Sequence, residues 1–446
     1  MEWSKLLSSS RLCRNDEQNK DVRSEFQRDY DRIVYSSAFR RLQDKTQVFP
    51  LAESDYVRTR LTHSIEVSCV GRSLGTLAGK LVIETEASFQ EASLQDIQPS
   101  EFGNIVAAAC LAHDIGNPPF GHSGEDAISS WFKGEGNKYL CCLSEEEKAD
   151  FLKFEGNAQG FRVLTRLQSA INRGGLQLTY AVLGAYCKYP RAAFIPDFDG
   201  SKKVSEKKFG FVQGDSELFK EVAENLGLKN KQDNAWSRHP LAFLMEAADD
   251  ICYRIIDLED GHRLGKVAFE ETEKMLKEVA SDKQGDTGNS YALIDDDKKG
   301  KIEYLRAKAI NNLITEAVSS FKQNYEAIMN GTFESDLLSQ TEYSSLLDDI
   351  KELSRRKVYA SPNVLQIEAA GFEVLGGLLE KVVPALVNED KTSAEKKVLQ
   401  LIPPQFTKGK NKYEKLLSAT DFVSGMTDSY AVTLYRRLRG IELPRG

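Results

Sequence analysis

Residues Ala107–Glu125 read AAACLAHDIGNPPFGHSGE. The apolar run Ala107, Ala108, Ala109 and Leu111 has helical length. Gly116-Asn117-Pro118-Pro119 then stops the helix, because proline lacks an amide donor and pushes its predecessor out of the helical region. A second helix opens around His122. A break of this kind aims side chains from two helix ends into one cavity. His113 and Asp114 lie about 100° apart on an ideal helix, so both reach one cation only where the helix ends and the backbone can adjust. Imidazole nitrogen with carboxylate oxygen is ligation suited to Zn, Fe, Mn or a similar divalent ion. The dipeptide alone fits a capped or solvated helix end equally well.

Working outward, the pattern stays helical. Residues 56–84 carry Ile65, Val70, Leu74, Leu77 and Leu81 at helical spacing, and residues 239–260 repeat the pattern. Amphipathic helices return after residue 302, as in 361–387 and 418–439. Strand-like alternation is nearly absent; Lys207–Gln213 and Tyr291–Tyr304, the latter around a polar DDDKKGK turn, are the candidates for a small hairpin. Ala192–Lys208 and Ser281–Lys301 read as exposed inserts. The expected architecture is all-α, with a helical core over residues 1–265 and a C-terminal helical lobe over 266–446 that contributes to pocket and oligomer.

The 446 residues, 41% hydrophobic and 28% charged, suffice for one large domain or two fused ones. A net charge of -8 argues against a bulk nucleic-acid coat, so a polyanion must meet a local basic pocket. Seven cysteines without CxxC or disulfide spacing suit a reducing compartment. The amino-terminal stretch has no apolar signal core and no run reaches membrane-spanning length. The expected location is the cytoplasm, with no membrane partner.

Several constellations bear on chemistry. His63 stands on a helix with Arg58 and Arg60 just upstream, and reads as a metal ligand or as a solvated surface histidine. His239 precedes a proline and reads as a helix start; His262 fits a helix end, where positive charge suits the dipole. Asp249 and Asp250 interrupt an apolar window, and a buried unpaired carboxylate is costly, so at least one of them needs a cation or strong donors. Asp249, Tyr253 and Asp257 fall on one stripe, an acid, a ring and an acid that make a wall for a nucleoside. His122 and Glu125 share a face, which allows an imidazole oriented by a carboxylate; helix capping is the plainer explanation. FEGNAQG at 154–160, with Asn157 a candidate substrate contact, and CKYPR at 187–191, with Lys188 near Arg191, fit phosphate binding or solvated turns.

Taken together, RRLQDKTQVFP (40–50), VRTRLTHS (57–64), AHDIGNPPFGHSGE (112–125), FEGNAQG, EAADDICY (246–253) and DFVSGMTD (421–428) closely resemble the HD-superfamily deoxynucleoside triphosphate triphosphohydrolases of the bacterial dGTPase type. The resemblance runs from about Arg40 to the C-terminus. It implies His63, His113, Asp114 and Asp249 as metal ligands, Asp249 being preferred over Asp250 by its spacing to Tyr253 and Asp257. It further implies His122 as the catalytic histidine beside Glu125, Gln47 and Asp257 on the sugar 3'-hydroxyl, Tyr253 beneath the deoxyribose, and Arg60 with Lys188 on phosphates. Residues 192–235 and 270–345 match no motif of that family.

The implied reaction is metal-dependent hydrolysis of a dNTP, dGTP among the substrates, to a deoxynucleoside and tripolyphosphate, with Mn, Mg, Fe or Zn as cofactor. A homo-oligomer, commonly a hexamer in that family, is also implied. Two other readings stand beside it: an HD phosphohydrolase acting on another nucleotide, and a nucleotide- or single-stranded-DNA-binding protein whose metal is structural.

Overall fold

The computed structural model describes residues 1–14, 22–47, 58–92, 94–169, 171–196, 208–281, 289–294 and 297–443. Ten helices frame the site: α1 (Ser37–Arg41), α2 (Arg60–Thr85), α3 (Pro99–Ala112), α4 (Gly121–Lys133), α5 (Gly156–Arg162), α6 (Pro240–Arg263), α7 (Lys298–Gln323), α8 (Pro362–Val387), α9 (Lys412–Ser424) and α10 (Asp428–Leu438). The fold is all-α apart from one two-stranded ribbon among the described residues.

α3 starts on Pro99, whose missing amide donor costs nothing in a first turn, and is buried without interruption from Ile105 to Ala112. Its main partner is α2, and small residues let the two backbones touch: a Cβ added at Gly75 would lie 2.6 Å from the carbonyl oxygen of Phe102. Val67, Val70, Leu74, Ala78 and Val82 form the buried stripe of α2, whereas Ile65 and Leu77, expected in that stripe, are exposed. The period is right but the buried face is narrower, because glycines and alanines fill it.

Two apolar cores result. One gathers α2, α3, α6 and α7; the other packs Phe120, Ile128, Phe132 and Phe151 against Leu375, Leu379, Leu416 and Phe422 of α8 and α9. Each such side chain taken out of water contributes about 1.5–3 kcal/mol. The break after α3 runs from the first core, at Ile115, to the second, at Phe120. It is therefore clamped at both ends.

The hairpin lies elsewhere than expected. Asn230–Gln232 pairs antiparallel with Ala235–Trp236 around Asn234, whose φ of 59° is the left-handed conformation that asparagine tolerates. No hairpin forms among the described residues of Tyr291–Tyr304: Tyr291 and Ala292 end a short helix, Lys298–Tyr304 belong to α7, and Asp297, taken as part of a hairpin turn, accepts from the amide of Gly300 at 3.0 Å and caps α7. In the other candidate, Phe211 makes a single bridge to Ala192 and Gln213 begins a 3-10 turn; Lys207 lies outside the described residues.

Neither insert is wholly exposed. Ala192, Ala193 and Ile195 are buried, and Lys298–Lys301 form the first turn of α7; residues 197–207, 282–288 and 295–296 lie outside the described residues. All seven cysteines are free, and no described helix is long and apolar enough to cross a membrane. His239 caps α6, its Nδ1 accepting from the amide of Leu241 at 3.1 Å, and His262 sits in that helix's last turn, both as the sequence suggests.

Candidate metal centre and acid–base pair

Thr59 caps α2, and one turn later His63 points inward, buried. Just upstream, Arg58 binds Glu66, Glu259 and Asp260, tying the start of α2 to the end of α6. This ion-pair network fixes the height of His63 against Asp249 on α6. His113 occupies the C-cap of α3, where its Nδ1 donates to the carbonyl oxygen of Cys110 at 2.7 Å. A carbonyl can only accept, so Nδ1 carries the proton and Nε2 presents a lone pair.

Three ligand atoms converge. Asp249 Oδ1 stands 3.3 Å from His63 Nε2 and 3.5 Å from His113 Nε2, and the three groups offer one atom each within 4.8 Å of one another. Burial pushes the Asp249 carboxyl up, but His113 and His63 draw it down to about 2. Asp250 lacks that company: burial raises it to about 7, against the pull of Lys188. Two imidazole nitrogens and an ionised carboxylate oxygen, two of them on helix ends, fit a divalent transition ion.

Asp114 adjoins the trio, with Oδ2 3.5 Å from His113 Nε2. That oxygen accepts from Arg60 Nη1 at 2.6 Å, and Oδ1 accepts from Asn117 Nδ2 at 2.6 Å. Burial alone would raise this carboxyl; Arg60 and the two histidines hold it well below the usual carboxylate range. Arg60 also lies against the next turn, its Nη2 2.6 Å from where a Cβ on Gly121 would stand.

The acid–base candidates sit at the start of α4. Phe120 and Gly121 both have positive φ, 63° and 59°, turning the chain so that His122 faces out with 78% of its side chain exposed. Its Nδ1 donates to Glu125 Oε2 at 2.8 Å, while Glu125 Oε1 accepts from the amide of Gly156 at 2.7 Å. Glu125 is thus fixed at both oxygens, and its hydrogen bond holds the His122 imidazole above its ordinary value.

α5 reaches this turn through close backbone contact: a Cβ on Gly116 would lie 2.0 Å from the Gly160 nitrogen and 2.2 Å from the Gly156 oxygen. The glycines of FEGNAQG therefore do packing work. Asn157 donates its amide to Glu155 Oε1 at 2.6 Å, and Lys188 pairs with Glu246 at 3.2 Å. Both expected substrate contacts are held by acids of this chain.

On α6, the Tyr253 ring stacks on Tyr359 with centroids 5.9 Å apart and planes 14° from parallel. The Tyr359 hydroxyl donates to Asp257, a carboxyl that burial raises to about 8. Gln47 Oε1 is buried with no donor among the described residues.

Sequence reasoning missed Tyr359 and Lys208, and it gave no role to Glu155 and Glu246, which lie inside the quoted motifs. Lys208, 3.6 Å from Glu125 and 3.1 Å from Glu155, ends a stretch read as an insert. Tyr359 closes the π-helical turn Arg355–Tyr359, 102 residues from Asp257 and in no recognised motif.

Comparison with known proteins identifies the family. A family model described as the HD domain matches residues 60–159, which hold His63, His113, Asp114, His122 and Glu125; a phosphohydrolase-associated domain matches 337–437, which hold Tyr359. A deoxyguanosinetriphosphate triphosphohydrolase-like protein of Synechocystis is 45% identical over 99% of this chain and 100% of its own length. One from Pseudomonas aeruginosa is 40% identical over the whole of both chains. The deoxyguanosinetriphosphate triphosphohydrolase of Salmonella paratyphi A is 32% identical over 94% of each.

Proposed function

The chain belongs to the family of deoxyguanosinetriphosphate triphosphohydrolase-like proteins, HD-domain hydrolases, and from that premise we propose that it converts deoxynucleoside triphosphates, dGTP among them, to deoxynucleoside and tripolyphosphate. The observation that carries the reading is the pairing of a His63–His113–Asp249 cluster with an exposed histidine whose proton is fixed by Glu125.

His63, His113 and Asp249 would hold a divalent ion, with Asp114 as the fourth ligand. Such an ion supplies Lewis-acid stabilisation of phosphoryl oxygens and acidifies water. The other steps belong to the chain's own side chains. Arg60, already between Asp114 and the turn before His122, reaches the phosphates as a planar fork. Water adds at the α-phosphorus and the bond from that phosphorus to the 5'-oxygen breaks; the His122 imidazolium delivers its proton to the departing oxygen, and the proton lost by the attacking water passes to solvent, from which His122 is reprotonated. Glu125 keeps His122 protonated and aimed.

For the sugar, Gln47 Oε1 has no donor among the described residues and Asp257 lies beneath Tyr359; a 3'-hydroxyl can donate to the Gln47 oxygen while accepting from the Asp257 carboxyl, which burial keeps protonated to about pH 8. The Tyr253–Tyr359 stack leaves no hydrogen-bonding partner on its ring faces for a 2'-hydroxyl. Assembly of copies is part of the reading, supported by Leu365 and Phe372 on α8, 52% and 43% exposed.

Product analysis decides between readings. Tripolyphosphate from dGTP in the presence of Mn or Mg supports this one; pyrophosphate or orthophosphate makes the protein a phosphohydrolase of another type, and no turnover with metal bound makes the centre structural. A mass near 49.9 kDa by light scattering removes the oligomer.

A further inference from the structure

Beside the DFVSGMTD motif lies a cavity of about 410 Å³, whose lining includes Arg41, Gln168, Gln405, Phe406, Phe422 and Tyr430. It falls within the size range of small-molecule sites. Its polar groups are one-sided. The Arg41 guanidinium has no acceptor among the described residues, and burial alone weakens its hold on the proton, with no carboxylate to offset it. The Gln168 oxygen accepts from the Ser37 hydroxyl at 2.9 Å and from the Ala38 amide at 3.3 Å. A backbone amide can only donate, so the orientation of that carboxamide is settled, and its NH₂ has no acceptor among the described residues.

One acid borders the cavity, Asp421, and it is already satisfied: Gln159 donates to it at 2.9 Å, and Arg162 at 2.8 and 3.0 Å. The cavity thus offers an unneutralised cation, a spare amide donor and aromatic walls. Arg41 is half-buried, so part of its hydration is lost without a counter-charge among the described residues, and a ligand that brings an anion makes up part of that loss.

We propose that this cavity binds a small organic anion, a planar ring bearing one phosphate or carboxylate group, with the anion on Arg41 and Gln168 and the ring against Phe406, Phe422 and Tyr430. Two stretches of its lining lead to the candidate active site. Four residues after Arg41, Lys45 donates to the carbonyl oxygens of Asn117 at 2.5 Å and Ser424 at 2.9 Å. Directly after Thr427, another lining residue, Asp428 accepts from the amide of Thr46 at 3.0 Å and from that of Phe120 at 3.1 Å. A ligand that draws Arg41 towards Thr427 tightens the loop that carries Gln47 and the turn that carries His122.

The test uses phenyl phosphate as probe, with inorganic phosphate (anion alone) and benzyl alcohol (ring alone) beside it, all in chelator so that no metal holds phosphate at His63. Calorimetry on the full chain should show phenyl phosphate binding at least about tenfold more tightly than either half-probe. Arg41→Gln should lose that advantage, and so should Gln405→Trp, which puts bulk into the lining at another residue and leaves the Arg41 side chain itself unchanged. Arg41→Lys should retain part of it, which guards against misfolding of the glutamine variant. Amide exchange at Phe120 should slow when the probe binds the parent and not change in Gln405→Trp. Equal affinity in the parent, Arg41→Gln and Gln405→Trp would overturn the site, and binding that leaves Phe120 exchange unchanged would remove its link to the turn.

Discussion

Arg60 donates to Asp114 at 2.6 Å, so the cation expected to meet phosphate and the carboxylate expected to meet metal are already bound to each other. The two functions are therefore coupled through one hydrogen bond. Asn117 secures the other oxygen of Asp114, which keeps the carboxylate oriented when Arg60 is lost. Arg60→Gln is expected to retain metal by elemental analysis and to lower kcat/KM for dGTP by about 10²-fold or more, the scale of a lost charge-assisted clamp. Arg60→Lys should recover little, because a point charge does not reproduce the fork. If Arg60→Gln emerges metal-free, Arg60 serves the centre and not the substrate.

His122 and Glu125 give a pH prediction. Replacing His122 by Ala should leave metal content intact and reduce kcat by about 10²-fold or more, the usual share of a positioned acid. Glu125→Gln keeps an acceptor for the Gly156 amide but removes the charge that raises the imidazole. A general acid works below its own pKa, so the alkaline limb of the kcat profile should move to lower pH in Glu125→Gln. A limb that stays in place would mean that another group titrates there.

Legibility in the sequence followed the range of the interaction. Helices, their caps at His239 and the break at 116–119 rest on local rules, and they read correctly. The candidate trio His63, His113 and Asp249 could be named from the sequence because each member lies in a dense motif, and the structure brings the three side chains together. Asp249 could be told from Asp250 before the fold was known only through the resemblance; in the structure the distinction rests on distances to two histidines from other helices. The hairpin was misplaced because Asp297 caps a helix as readily as it makes a turn. Lys208 and Tyr359 were not legible at all: each acts through partners brought near by tertiary packing.

The Gly116 contact yields a stability prediction. Its missing Cβ is required by backbone atoms of Gly156 and Gly160, which cannot rotate away as a side chain can. Gly116→Ala should therefore cost about 3 kcal/mol or more, at or beyond the upper end of ordinary overpacking, and should loosen the amide of Gly156 from Glu125. Denaturant unfolding checks the first part. A loss under about 1 kcal/mol would show that α5 moves aside freely.

The Asp257–Tyr359 pair would tie the proposed sugar contact to pH. Burial lifts the Asp257 carboxyl to about 8 from an ordinary 3.8, while the Tyr359 hydroxyl pulls it back down. The folded protein thus keeps a proton, between about pH 4 and 8, that the unfolded chain releases. The sign follows: the contribution to stability is fully present below about pH 4 and is lost as pH rises towards 8. Asp257→Asn has no such proton, so between pH 5 and 9 the ligand-free parent should lose more unfolding free energy than this variant. Tyr359→Phe removes the opposing hydrogen bond and should move the loss to higher pH. The same variants test the sugar. If the Tyr253–Tyr359 stack excludes a 2'-hydroxyl, Tyr359→Ala should shrink the dGTP over GTP ratio of kcat/KM by about tenfold or more, since an unpaired buried hydroxyl costs about 1–3 kcal/mol. Tyr253→Ala should do the same, because the stack needs both rings. An unchanged ratio in both variants would place the sugar elsewhere, leaving the pH effect as a property of a buried acid alone.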